Sequence, residues 1–407
     1  MSPFPEPWIE VVGVGCDGLE GLPPALRALV EGAEAVVGGA RHLAFLEGPA
    51  GRRVPWRSPL DDTLGDIAAL RGRRVAVLAT GDPSWFGVAR LLRRRFGAEA
   101  VRVHPSPSAF QLAAARLGWA VEEALTLTAH GRPVGNLRRH LAPGRRLLVL
   151  TGGSEGPAEI AALVRESGYG ASEFWVLEQL GGPEERLRHG TCALPPEGGT
   201  GALNLVALHL RAAPGRAVGL APGLDDGLFA HDGQITKREV RALTVAALGA
   251  FPGETLWDVG AGSGSVAVEW LRIDPTLRAV AVERRGDRCA NVRANAERFG
   301  LEDSLRVVEG EAPEALPEGR AGAVFVGGGV ARPSLIEGLI DRLRPGGRLV
   351  ANAVTLAGEA RLLALHARFG GDLTRIEAGR AAPLGDGHGF VPMRPVTQWR
   401  HLRPEGA

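Results

Sequence analysis

The sequence runs to 407 residues, 45% of them hydrophobic, enough length and apolar content for two or three domains with ordinary cores. Its 47 basic and 46 acidic residues leave a formal charge of +1, which excludes a global basic field for nucleic acid and an acidic tail. Three widely separated cysteines, Cys16, Cys192 and Cys289, form no disulfide or metal-ligand pattern, so no metal is expected.

Met1 to Glu10 has no basic region followed by an apolar core, and no apolar run is long enough to cross a bilayer. A cytoplasmic protein with no membrane partner is expected. Lys237 is the only lysine among the 47 basic residues. Replacement of Lys by Arg in a GC-rich genome explains most of that, and it makes the surviving lysine in Ile235-Thr236-Lys237-Arg238-Glu239 more notable.

In chain order, Trp8 to Val14 predicts a strand running into Gly13-Val14-Gly15, Pro24 to Glu31 a helix, and Ala35 to Val37 a short strand. Arg74 to Ala79 is a second strong strand, followed by Thr80-Gly81-Asp82-Pro83. Gly87 to Phe96 and Ser108 to Leu117 read as helices around a strand at Val101 to Val103. Arg146 to Leu150 is a strand ending in Thr151-Gly152-Gly153. Glu173 to Gln179, Glu185 to Thr191 and Leu203 to Leu208 follow as strands without long helices between them, so a parallel α/β part precedes a more antiparallel one. Ala212 to Gly223, rich in Pro, Gly and Ala, reads as a linker. The division expected is therefore 1–211, a linker at 212–223, and 224–407.

After the linker the pattern becomes a regular βαβ series. A helix from Lys237 to Leu248 leads into the strand ending at Asp258. Strands follow at Arg278 to Glu283, Leu305 to Val308, Ala323 to Val326 and Arg348 to Ala351, with helices at Asp287 to Phe299 and Ser334 to Leu343. Leu343 to Arg348 reads as a helix end and a turn. Leu373 to Glu377 and Met393 to Leu402 are placed as an antiparallel pair at the sheet edge. Such alternation means a doubly wound sheet with ligands at the carboxyl ends of its strands.

The most informative stretch is Asp258-Val259-Gly260-Ala261-Gly262-Ser263-Gly264-Ser265, an apolar strand passing through three alternate glycines into the helical pattern Val266 to Leu271. The glycines permit unusual dihedrals and close approach of a ligand to the main chain, and the loop opens at a helix N-terminus. A carboxylate at Asp258 near the ligand would repel a pyrophosphate, which favours a nucleoside cofactor without phosphates, S-adenosylmethionine. The rival is a dinucleotide fingerprint, but its third position is Ser265, neither Gly nor Ala. Glu283, roughly 20 residues past the loop, suits ribose hydroxyls in either class. Glu311 is placed to accept from an adenine amino group, with Ala312 beside it. Gly327-Gly328-Gly329, after the next strand, leave no side-chain bulk beside the reacting methyl.

On Gly223-Leu224-Asp225-Asp226 with Thr236-Lys237, the Asp258 to Gly264 loop, Glu309-Gly310-Glu311-Ala312-Pro313-Glu314-Ala315-Leu316 and Val326 to Gly329, the second half resembles cobalamin-pathway methyltransferases that act on precorrin-6Y (precorrin-6B) at C15 and decarboxylate its C12 acetate. It departs at Glu311, where that family often has Asp, and at Ala261 and Ser263, where related members often have Cys and Thr. On Val12-Gly13-Val14-Gly15, Gly38-Gly39-Ala40-Arg41, Ala79 to Gly87 and Ala129-His130-Gly131-Arg132, residues 8 to 210 resemble the tetrapyrrole methylases, in the branch that methylates the same precursor at C5. Cys16-Asp17-Gly18 stands where that family commonly has Gly-Pro-Gly.

The fold implied is α/β: a two-subdomain tetrapyrrole-methylase-like unit followed by a doubly wound, Rossmann-like class I methyltransferase. The activity implied is methylation at C5 and C15 with loss of the C12 carboxyl, giving precorrin-8, with one S-adenosylmethionine site per domain. The implied cofactor contacts are Asp258, Gly260, Ala261, Gly262, Ser263, Gly264, Glu283, Glu311, Ala312, Gly327 and Gly328 in the second half. In the first half they are Gly81, Asp82, Ser108 and Thr151. Thr236, Lys237 and Arg238 are the first choices for contacts to the precorrin, while Asp225 and Asp226 are expected to order the loop or place a proton. The Arg runs Arg93-Arg94-Arg95, Arg138-Arg139 and Arg145-Arg146 read as solvated faces, and His130 as a hydrogen-bonded loop residue. The alternatives are an RNA or other small-molecule methyltransferase and a nicotinamide-dependent reductase. The near-neutral charge and the lack of an aromatic base-flipping motif argue against nucleic acid. A homo-oligomer is expected from relatives of both halves.

Overall fold

The structure, a computed structural model, describes residues 7–47 and 51–405, so the first six residues of the Met1 to Glu10 stretch lie outside the described residues. The chain divides into two compact units, residues 1–134 with 143–216 and residues 135–142 with 217–407. Residues 135–142, expected in the first domain, count with the second, and the boundary falls inside the expected linker.

The first unit carries two sheets. One holds β1 (Ile9–Val14), β2 (Ala35–Gly38), β3 (Arg52–Pro55), β4 (Val75–Thr80) and β5 (Val101–His104) in the order β3-β2-β4-β1-β5, all parallel. β1 and β4 are nearly continuous apolar runs because both of their faces are covered, the signature of inner strands in a parallel sheet. β3 escaped the sequence reading because it lies at the edge and buries only Val54. The helix Leu60–Ala68 was also missed.

The other sheet holds β6 (Ala124–Thr128), β7 (Arg146–Leu150), β8 (Glu173–Glu178), β9 (Arg186–Thr191) and β10 (Asn204–His209) in the order β6-β7-β10-β8-β9. Only β6 and β7 are parallel, so the antiparallel character expected here is what the structure has.

The second unit is one seven-stranded sheet, β13-β12-β11-β14-β15-β19-β16, built from β11 (Thr255–Val259), β12 (Arg278–Glu283), β13 (Leu305–Glu309), β14 (Ala321–Val326), β15 (Leu343–Ala353), β16 (Asp372–Ile376) and β19 (Val396–Leu402). β17 (Gly379–Leu384) and β18 (Gly387–Pro392) form a separate hairpin. β13 to β15 run parallel, and β19 and β16 close the edge antiparallel, as expected from Leu373 and Met393 onward. One element differs. Leu343, read as the end of a helix, is fully buried and already pairs with Ala321, and Arg348 pairs with Ala323, so 344–347 bulge out of the strand. Pro345, Gly346 and Gly347 make that bulge possible.

Two apolar layers cover the sheet. One gathers Leu248, Val268, Trp270, Leu271 and Phe299, the other Ile336, Leu339, Leu362 and Trp399. Helices on both faces bring the turns after β11, β12, β13 and β14 to one end of the sheet, the end where a doubly wound fold holds its ligand.

Candidate functional site

Those turns line a cavity of about 1010 Å³ in the second unit. Its wall includes Gly260, Ala261, Gly262, Ser263, Glu283, Glu311, Ala312, Gly327 and Gly328, all singled out from the sequence, together with Thr236 and Lys237. The glycine turn after β11 has Gly260, Gly262 and Gly264 at φ of +70°, +59° and +70°. Each does different work. A Cβ on Gly260 would lie 2.9 Å from the backbone of Gly328, so a side chain there would drive apart the two loops that floor the cavity. A Cβ on Gly262 would meet open space, the cavity itself. Gly264 is off the wall, pressed against Val292, where it allows the following helix (Ser265–Leu271) to pack.

Glu283 ends β12 and is buried. Its Oε2 accepts from the Gly262 amide at 2.9 Å and its Oε1 from the Arg285 amide at 3.1 Å. Each oxygen can accept a further hydrogen bond, and the residue lines the cavity, which suits the hydroxyl pair of a ribose. Glu311 is half exposed and holds Arg332 at 2.7 Å, and the Arg332 guanidinium also reaches the Ala312 carbonyl at 3.1 Å. Asp258 is not on the cavity wall. Asp258, expected beside the ligand, lies under the turn, 1% exposed, with Oδ2 accepting from the Ala267 amide at 3.3 Å and Oδ1 without a partner. Burial pushes its carboxyl up to about 7, against the Ala267 hydrogen bond and with help from the Glu283 charge. Its place is beneath the loop and not against a ligand.

The opposite wall begins at Thr236 and Lys237. Arg241, fully buried on the helix Arg238–Leu248, pairs with Glu269 at 2.6 Å and Asp226 at 3.1 Å, and donates to the Thr236 carbonyl at 2.6 Å and to the Leu224 carbonyl. Glu269 in turn accepts from the Gly223 and Leu224 amides at 2.7 and 2.9 Å. This network sets the loop that carries Lys237. Asp226 is its hub, with the Lys237 ammonium at 4.0 Å and Arg380 at 3.3 Å, so Asp226 orders the loop, and Asp225 does so through the Gly227 amide. Arg238 is off the wall, half exposed near Glu239. Sequence reasoning missed Arg241. Its signal was an arginine in register with Val245 and Leu248 on the buried face of its helix.

In the first unit Gly81 and Ser108 come together, a Cβ on Gly81 falling 3.1 Å from the Ser108 Cα. Gly13, weak as a motif, is the tighter constraint: its Cβ would stand 1.9 Å from the Gly81 carbonyl oxygen. The polar side chains are engaged internally. Ser108 caps the helix Ala109–Leu117 in a capping box with Gln111, Asp82 accepts from the Ser84 amide at 2.8 Å, and the Thr151 hydroxyl donates to Asn204 Oδ1 at 2.6 Å. Among the described residues no group of acidic, His or Cys side chains could hold a metal, and no helix is long and apolar enough to cross a membrane.

Residues 9–195 match the family model of tetrapyrrole (corrin/porphyrin) methylases, and residues 227–403 match that of the precorrin methyltransferase domain. A Sinorhizobium protein named precorrin-6Y C(5,15)-methyltransferase (decarboxylating) is 47% identical over 396 residues, which is 97% of this chain and 96% of the relative. Two shorter Salmonella typhimurium proteins match over 179 residues each. One, named cobalt-precorrin-7 C(5)-methyltransferase, is 34% identical (44% of this chain, 88% of the relative). The other, named cobalt-precorrin-6B C(15)-methyltransferase (decarboxylating), is 35% identical (42% of this chain, 92% of the relative).

Proposed function

Because the chain belongs to the decarboxylating precorrin-6Y C(5,15)-methyltransferases, we propose that its two parts share the work on one tetrapyrrole. Residues 224–407 methylate C15 of precorrin-6Y and release the C12 carboxyl as carbon dioxide, and residues 1–211 methylate C5, giving precorrin-8. Each part takes S-adenosylmethionine. That relatives of half the length carry the C(5) and C(15) activities under separate names supports this division.

The observation that carries the reading is the asymmetry of the cavity. Glu283 stands at the end of β12 and Arg394 just before β19, four strand positions away in the order β12-β11-β14-β15-β19. At a strand spacing of about 4.8 Å this is roughly 19 Å. Glu283 and the glycine turn suit a nucleoside over β12 and β11, which leaves the floor of Gly327 to Gly329 and the region over β15 and β19 for a second, larger molecule. Bound S-adenosylmethionine supplies an electrophilic methyl on a sulfonium, and the conjugated ring of the substrate accepts the electrons released by decarboxylation. The chain itself must hold and align, and alignment alone is worth ~7–11 kcal/mol in favourable cases.

The substrate is rich in carboxylates, and the cavity's arginines sort by their partners. Arg288 is held by Asp232 at 2.9 Å and Arg332 by Glu311. Arg394 and Arg284 line the cavity with no acid partner among the described residues, and Arg284 adjoins Glu283 at the nucleoside end. Arg394 therefore anchors a substrate carboxylate in this reading, and Lys237, 4.0 Å from Asp226, shares the substrate wall with it. A cytoplasmic homo-oligomer is part of it, and light scattering in solution decides the oligomer.

The test is methyl transfer from labelled S-adenosylmethionine to precorrin-6Y by the intact chain, read by mass. Two added methyl groups with loss of one carbon dioxide are expected. Cofactor binding without labelling of any precorrin overturns the substrate.

A further inference from the structure

In the first unit the carboxyl ends of β1, β2 and β4 bring together four residues that the cofactor reading does not use: Cys16, Arg41, His42 and Thr80. Arg41 is half-buried. Its Nη2 donates to Thr80 Oγ1 at 2.9 Å, its Nη1 approaches Cys16 Sγ at 3.5 Å, and the Phe45 ring lies 5.9 Å from the guanidinium carbon. His42 Nε2 stands 3.2 Å from Thr80 Oγ1 and 3.4 Å from Arg41 Nη2. One arrangement of protons satisfies the group: Arg41 donates to the threonine oxygen, and the threonine hydroxyl donates to the lone pair of a neutral imidazole. Burial, with the Arg41 charge adding to it, pushes His42 down to about 4, which keeps the ring neutral. Cys16 is tied further to Gln179 Oε1, 3.7 Å away.

Every partner of Arg41 is thus uncharged. Arg188, 14% exposed, by contrast pairs with Glu178, and Arg146 pairs with Glu123. A half-desolvated guanidinium clamped in place without a counter-ion carries an electrostatic cost that an anion would relieve. Its Nε–H has no acceptor among the described residues, so the edge formed by Nε–H and a terminal N–H stays open to a planar, two-oxygen anion. The carboxyl ends of the parallel strands are also where an open α/β sheet receives its ligand.

We propose that Arg41, held by Cys16, Thr80 and His42, binds a carboxylate of the tetrapyrrole during C5 methylation. This rests on the reading that the first part of the chain methylates the ring. The clamp gives Cys16 a role: its sulfur is a soft acceptor for the guanidinium, which keeps its charge for the ligand.

The test uses the full chain, precorrin-6Y and labelled S-adenosylmethionine, with Arg41→Ala and Arg41→Lys beside wild type. With Arg41→Ala a product carrying one added methyl and lacking the carbon dioxide accumulates. The KM for its further methylation rises at least tenfold, while the thermal midpoint and the calorimetric affinity for S-adenosylmethionine stay at wild-type values. Arg41→Lys, which keeps the charge but not the fork, falls between. A wild-type KM for the second methylation in Arg41→Ala overturns the proposal and leaves the function standing. Failure of the wild-type chain to add the second methyl overturns the functional reading instead.

Discussion

Gly13 of the first unit and Gly262 of the second stand in glycine turns that look alike in sequence, and the two do opposite things. In the first unit Gly13 and Gly81 exist so that backbone can lie on backbone, and the polar residues around them are spent on the protein: Ser108 on a helix cap, Thr151 on Asn204, Asp82 on its own turn. In the second unit Gly262 faces empty volume, and Glu283, though tied to two amides, still presents its carboxylate to that volume. A motif glycine therefore marks either close packing or space for a ligand, and only its neighbours say which. If this contrast is right, substitutions in the first set register in stability and those in the second in ligand binding.

Asp258 gives the largest effect and crosses the contrast, since it belongs to the second unit's motif but is buried inside. Its carboxyl, ordinarily near 3.8, is raised to about 7 in the folded state, so the stability it contributes is fully present below pH ~4 and is lost as the pH rises through ~7. Asp258→Asn removes that dependence. The stability difference between the variant and wild type should grow in favour of the variant by on the order of 4 kcal/mol across this window, measured by denaturant unfolding without cofactor. A constant difference would mean that the carboxyl titrates normally.

Gly13→Ala comes next. It drives a Cβ into the Gly81 carbonyl and should cost about 3 kcal/mol in the first unit, read as a fall in its calorimetric midpoint with carbon dioxide release by the second part intact. Glu283→Ala should weaken S-adenosylmethionine binding at the second unit roughly 100-fold, about 2.7 kcal/mol, and also lower the thermal midpoint, because the Gly262 and Arg285 amides lose their acceptor. Thr151→Val leaves the buried Asn204 Oδ1 without its hydroxyl donor and should cost ~1–2 kcal/mol of stability. Gly262→Ala is the smallest in stability. The left-handed backbone costs roughly 1 kcal/mol, but the methyl projects into the cavity, so binding should suffer more than folding. Equal losses of stability at Gly13 and Gly262 would break the comparison.

Most strands of the second unit were legible because parallel inner strands must be apolar on both faces, and Arg278 to Glu283 matches to the residue. The carboxyl-end loops were legible too, because a doubly wound fold puts its ligand there whatever the sequence between. What stayed hidden depended on distant neighbours. β3 carries one buried side chain and so no pattern. Leu343 reads as a helix end because what makes it begin β15 is pairing with Ala321, 22 residues earlier in the chain. Arg241 went unnoticed because the partners that give it its loop-ordering role, Glu269 and Asp226, lie 28 and 15 residues away in the chain.

By itself the sequence determined the class of both units, the turns that face a ligand and the chemical type of the residues on them, because periodicity and glycine spacing are local properties. The tertiary structure decided which charges are free. Asp258 is pushed towards neutrality by burial, Arg332 is taken by Glu311, and Arg41 and Arg394 are left without an acid. Charge compensation and desolvation depend on residues far apart in the chain, and nothing in the order of the amino acids records which of them will meet.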